Sequence, residues 1–171
     1  MKKNIVLIGM PGAGKSTIGV LLAKALNYNF IDADLVIQQQ NNKKLFEIIN
    51  EVGIEEFLKI EDETISNINT SGTVIATGGS AVYGENAMNH MKDNGIVMYL
   101  KLSCLEIINR ISNIKTRGIA MKEGKTIFDI YNERVHLYEK YADIIIDAEG
   151  TNIEECVSLV MEEIVNILNN R

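Results

Sequence analysis

The sequence predicts an α/β domain in which helices flank a central, five-stranded, mostly parallel sheet. Three observations carry that prediction. Apolar, β-rich runs recur near residues 5–8, 28–31, 73–76, 96–100 and 144–147, with helical patterns between and after them. Such alternation gives layers of helix packed on a parallel sheet. The first run passes straight into a glycine-rich turn and then into a helical pattern. The length of 171 residues, 46% of them hydrophobic, suits one domain (1–171) with a sizeable core.

Ile5-Val6-Leu7-Ile8 is continuously apolar and branched, as in a strand buried on both faces. Gly9-Met10-Pro11-Gly12-Ala13-Gly14-Lys15-Ser16 then satisfies the phosphate-loop pattern through Gly9, Gly14, Lys15 and Ser16. Glycines let successive backbone N–H groups converge on an anion, and the following helix adds the positive end of its dipole. Lys15 is placed to reach β- and γ-phosphates, and the Ser16 hydroxyl to hold Mg²⁺. Ile18, Leu21, Leu22, Ala25 and Leu26 fall at helical spacing. Pro11, the sole proline, stiffens the loop.

The second strand, Tyr28-Asn29-Phe30-Ile31, leads to Asp32-Ala33-Asp34. Alternate residues at a strand terminus point both carboxylates at the crevice where phosphates sit. One suits Mg²⁺, and the other an acceptor hydroxyl. Asp34 is equally suited to cap the next helix. A short helix over 45–52 stops at Gly53, and a second follows over 54–69. Its charges, Glu55, Glu56, Lys59, Glu61, Asp62 and Glu63, are expected on a solvated face opposite Ile54, Phe57, Leu58, Ile65 and Ile68.

The third strand, 73–76, runs into Thr77-Gly78-Gly79-Ser80, where bare backbone would let a substrate approach. The fourth, 96–100, leads to a helix over about 103–112 carrying Arg110. Residues 113–125 are basic, bracketed by Gly118 and Gly124, and read as a mobile lid over phosphates in which Arg117 clamps the transferring group. The helix over about 126–141 carries Arg134, which suits either a surface pair with Glu133 or Glu139, or a substrate carboxylate. A strand at 144–147 and an amphipathic helix over 152–168 complete the pattern.

A net charge of −6 argues against nucleic-acid or acidic-membrane binding. No stretch approaches 18 uninterrupted apolar residues. The basic start, Lys2-Lys3, precedes only four apolar residues before the phosphate loop, which disfavours a targeting segment. Cys104 and Cys156 lack CxxC spacing, so a reducing cytoplasm is expected; separately, the chain is expected to act as a monomer.

Taken together, this order of motifs resembles the shikimate kinase family, small P-loop kinases related to the nucleoside monophosphate kinases. The resemblance rests on Gly9–Thr17, Asp32 and Asp34, Gly78-Gly79, Arg117, and Glu133-Arg134 followed by Leu137-Tyr138-Glu139. It implies the three-layer P-loop kinase fold, with substrate-binding helices over about 34–70 and ATP and Mg²⁺ as co-substrate and cofactor. Gly12, Ala13, Gly14, Lys15, Ser16 and Thr17 would bind the nucleotide, Arg110 the adenine side and Arg117 the phosphates. Ser16 and Asp32 would support the metal. Lys15, Asp34 and Arg117 would be catalytic, with Asp34 also holding the ring hydroxyls. Gly78, Gly79, Ser80 and Arg134 would contact shikimate, Arg134 through its carboxylate.

Three positions depart from the family pattern. Its Phe-Arg-x-x-Glu helix motif is Phe57-Leu58-Lys59-Ile60-Glu61, its third glycine is Ser80, and its lid sequence Arg-Pro-Leu-Leu is Arg117-Gly118-Ile119-Ala120. They leave open a kinase of another hydroxylated metabolite on the same scaffold. A nucleoside monophosphate kinase and an inactive nucleotide-binding regulator are remoter alternatives.

Overall fold

The computed structural model describes residues 3–112 and 119–169. Its strands are β1 (Asn4–Ile8), β2 (Asn29–Asp32), β3 (Thr73–Ala76), β4 (Gly95–Lys101) and β5 (Ile144–Asp147). They form one sheet in the order β2-β3-β1-β4-β5, and all four neighbouring pairs are parallel. Apart from polar residues at their ends, β1, β3 and β4 are apolar because helices cover both faces; Val6, Leu7, Ile8, Val74, Ile75, Val97 and Met98 are fully buried. Asn4 opens β1 although it is polar and buried. Its Nδ2 donates to Thr70 O at 2.9 Å, and its Oδ1 accepts from Thr73 N at 3.1 Å, which ties β1 to the start of β3.

The helices are α1 (Lys15–Leu26), α2 (Ala33–Asn41), α3 (Leu45–Val52), α4 (Ile54–Ser66), α5 (Glu85–Asn94), α6 (Cys104–Ser112), α7 (Ile127–Tyr141) and α8 (Ile153–Asn169). Most bounds fall within a residue or two of expectation, while α4 ends three residues short of 69. Residues 85–94 give little apolar periodicity, and α5 is set by tertiary contacts instead. Ala87, Met88 and Met91 are buried, and Asp62 of α4 caps its first turn, accepting from Ala87 N at 2.7 Å and Asn86 Nδ2 at 2.9 Å.

From β1 the chain crosses to β2 on one side, and from β3 it crosses to β4 on the other. The crevice outside the carboxyl ends of β1 and β3 lies at this reversal, where such sheets bind ligands. A second small core, built from Ile37, Leu45, Ile48, Phe57 and Ala120, joins α2, α3 and α4 to the segment after residue 118.

Candidate active site

The phosphate loop connects β1 to α1. Gly12 and Gly14 take φ of 83° and 91°, which side chains other than glycine rarely adopt. Lys15, the first residue of α1, is buried, and its Nζ donates to Gly9 O at 2.7 Å and Met10 O at 2.9 Å. Ser16 Oγ donates to Asp32 Oδ2 at 2.6 Å. A hydroxyl and a carboxylate, both hard oxygen ligands, therefore meet beside the loop, the donor set that Mg²⁺ takes with phosphate oxygens.

Asp32 and Asp34 converge here, with one correction. Asp34 is not at a strand terminus. β2 ends at Asp32, whose Oδ1 caps α2 by accepting from Asp34 N at 3.0 Å and Leu35 N at 3.4 Å. Asp34 reaches the crevice from the first turn of α2, and the capping residue is Asp32.

Two cavities flank the loop. One, of about 640 Å³, is lined by Ala13, Gly14, Thr17, Arg110, Thr151 and Asn152. It is large enough for a nucleoside and borders the expected nucleotide residues. Arg110 edges it while its Nε donates to Glu106 at 2.7 Å. The other is a narrow cleft lined by Lys15, Asp34, Gly78, Gly79, Ser80 and Arg134 among others. Lys15 and Asp34 thus share one cleft with the residues expected to contact the acceptor.

The bare faces of the two glycines are occupied from within the protein. A Cβ on Gly78 would overlap Glu61 Oε1 and lie 2.7 Å from Asp34 Oδ1; one on Gly79 would lie 2.6 Å from Pro11 Cδ. Glu61 is therefore no part of a solvated face, as its charge run implied. It is 1% exposed and accepts from Ser80 Oγ at 2.6 Å. Burial pushes its carboxyl up to about 7; the Ser80 hydrogen bond opposes that rise, and the nearby Asp34 charge reinforces it. The sequence held a signal for this. Glu61 follows Phe57 by four residues and precedes Ile65 by four, so it lies on the buried stripe of α4. Tyr138 entered the sequence reading only through the family resemblance, with no role assigned. It is fully buried, its hydroxyl donates to Gly79 O at 2.6 Å, and desolvation raises its pKa so that it stays a donor.

Arg134 makes neither of the expected surface pairs. It is 1% exposed, its Nη2 donates to Ala120 O at 2.7 Å, its Nε to Tyr83 Oη at 3.3 Å, and its Nη1 has no partner among the described residues. Glu133 instead pairs with Lys125 and accepts from Tyr83 Oη at 3.1 Å, while Glu139 pairs with Lys101 at 3.1 Å. Beside the guanidinium lies a cavity of about 240 Å³ lined by Leu58, Tyr83, Lys122, Lys125, Glu133 and Arg134 among others. Lys59 points elsewhere, to Glu56 at 2.9 Å on the solvent side of α4. Arg117 and Gly118 lie outside the described residues. From 119 onwards the expected lid region rests on the substrate-side helices through Ala120.

A family model for shikimate kinase matches residues 11–165. The chain belongs to the shikimate kinase family. It is 36% identical to the shikimate kinase of Thermodesulfovibrio yellowstonii over 172 aligned residues, covering 99% of each protein. It is 38% identical to that of Clostridium botulinum, covering 97% of this chain and 99% of the relative. Among solved structures, the shikimate kinase of Acinetobacter baumannii in complex with shikimate superposes with a TM-score of 0.87 at 28% identity, covering 100% of this chain and 96% of that one. The five-stranded parallel sheet flanked by helices is the P-loop kinase fold of these neighbours. The family fixes the reaction class as ATP-dependent phosphoryl transfer to a hydroxyl group. Among the described residues, no helix is long and apolar enough to cross a membrane.

Proposed function

We propose that this chain is a shikimate kinase, moving the γ-phosphoryl group of ATP to the 3-hydroxyl of shikimate to give ADP and shikimate 3-phosphate. The family match over residues 11–165 carries this reading. The cleft supports it in chemistry: Lys15, Asp34 and Arg134 line one space, and a buried guanidinium whose Nη1 has no partner among the described residues suits a carboxylate-bearing acceptor.

In this reading the glycine-rich loop and the α1 N-terminus cradle the phosphates through backbone N–H groups. Lys15 exchanges its contacts with Gly9 O and Met10 O for phosphate oxygens and stabilises charge on the moving group. Ser16 and Asp32 would hold Mg²⁺, which would supply further neutralisation of that charge. Asp34 accepts a hydrogen bond from the acceptor hydroxyl and aligns it for in-line attack. Arg134 holds the carboxylate at the far side of the ring, and Arg117 is the proposed clamp on the phosphates. Thr17 and Arg110 border the nucleoside cavity, and Gly78, Gly79 and Ser80 the ring. We further take residues 1–171 as one domain acting as a monomer in the cytoplasm.

The test is ADP release by the purified protein with Mg-ATP, with and without shikimate, up to millimolar acceptor. Saturable, shikimate-dependent turnover is expected. Background hydrolysis alone would overturn the acceptor.

A further inference from the structure

Glu61 has a problem that its own helix does not solve. It is a carboxylate buried in α4, and such a group needs a cation or hydrogen-bond donors. Helical side chains lean towards the N-terminus, so Glu61 overlies the turn that contains positions 57 and 58. Those residues are Phe57 and Leu58, and neither can donate. The donor comes from elsewhere in the fold. Ser80, buried just past β3, gives its hydroxyl to Glu61 Oε2 at 2.6 Å, and Oε1 has no partner among the described residues.

Resting on the acceptor reading above, we propose that Ser80 is a positioning residue, whose hydroxyl does for Glu61 what a cation at position 58 would do. It fixes the Glu61 carboxylate over Gly78, against Asp34. The crowding there is tight, since Glu61 Oε1 and Asp34 Oδ1 both meet the space a Gly78 Cβ would fill. A Glu61 free to swing would displace Asp34, the group that orients the acceptor hydroxyl. Lys15 and Arg134 add positive charge from the loop and α7, and Asp34 adds negative charge from α2. Ser80 alone supplies Glu61 with a hydrogen bond among the described residues.

The test uses four proteins: the parent, Ser80→Ala, Leu58→Arg and the double variant, with Leu58→Lys as the second cation if Leu58→Arg does not fold. Each is assayed for shikimate and ATP kinetics, for the pH profile of kcat/KM, and for its urea midpoint. In the parent background, Ser80→Ala is expected to lower kcat/KM for shikimate about tenfold, the scale of one hydrogen bond to a charged group, with the KM for ATP unchanged. The limb of the profile near neutrality should move up by about 0.5–1 pH unit, because a hydrogen bond to the ionised carboxylate is lost. With a cation at position 58 the same substitution should cost less than about threefold. Equal losses in both backgrounds, or an unmoved pH profile, would overturn the coupling. If the parent shows no shikimate-dependent turnover, the acceptor reading fails instead, and the urea midpoints decide. Non-additive midpoints support the Ser80–position 58 coupling, and additive ones refute it.

Discussion

Replacing Glu61 with Gln removes a titrating group while keeping its shape and an oxygen for the Ser80 hydroxyl. The folded protein holds the Glu61 carboxyl at about 7, against an ordinary 4.5. The folded state therefore binds this proton more tightly than the unfolded chain does. Below pH 4.5 both states carry it, and ionisation exacts no penalty. As pH rises through 7 the folded protein must ionise a group sealed from water, and stability falls. At about 1.4 kcal/mol per pH unit of displacement, the penalty reaches about 3 kcal/mol above neutrality. Glu61→Gln escapes it. The stability difference, variant minus parent, should grow by about 3 kcal/mol between pH of about 4.5 and about 8.5. In melting temperature that is about 6–12 °C for a chain of this size. Urea unfolding of both proteins across that range reads it, because carboxylates remote from Glu61 titrate alike in both and cancel. Parallel stability curves would refute the argument, since they would mean that Glu61 ionises at its ordinary pH.

Two further outcomes follow from the same cleft. Lys15→Met should lower kcat by at least about a thousandfold, the scale of a phosphate-stabilising cation, while circular dichroism remains that of the parent; retained turnover would remove Lys15 from the phosphate site. Gly78→Ala should lose stability by about 1–3 kcal/mol through overpacking and lose shikimate turnover with it, because its methyl meets Glu61 and Asp34; a fully active, equally stable variant would show that the two carboxylates do not crowd that point.

Sequence reached furthest where local chemistry is self-sufficient. The five strands, the phosphate loop and most helix ends were legible because apolar periodicity, glycine geometry and capping act over a few residues. Asp32 and Asp34 were legible as a pair, but their division of labour was not. Which of them caps α2 depends on where β2 ends, and that is set by pairing with β3. Glu61 was misread because its charge outweighed its place on the stripe of α4, and α5 was missed because its cap, Asp62, belongs to another helix. Arg134 left a choice between a surface pair and a substrate carboxylate; its burial against Tyr83 and Ala120 excludes the surface pair, and no pattern along α7 foretold those contacts.

By itself, then, the sequence determined a nucleotide-binding parallel α/β fold and the loop that grips phosphate, because those are properties of contiguous residues. Only the tertiary structure decided that Ser80 serves Glu61, that Glu61 and Asp34 crowd Gly78, and that Arg134 is buried beside a Leu58-lined cavity. These contacts join residues far apart in the chain. Their energies come from burial, which pattern along a single helix or strand does not reveal.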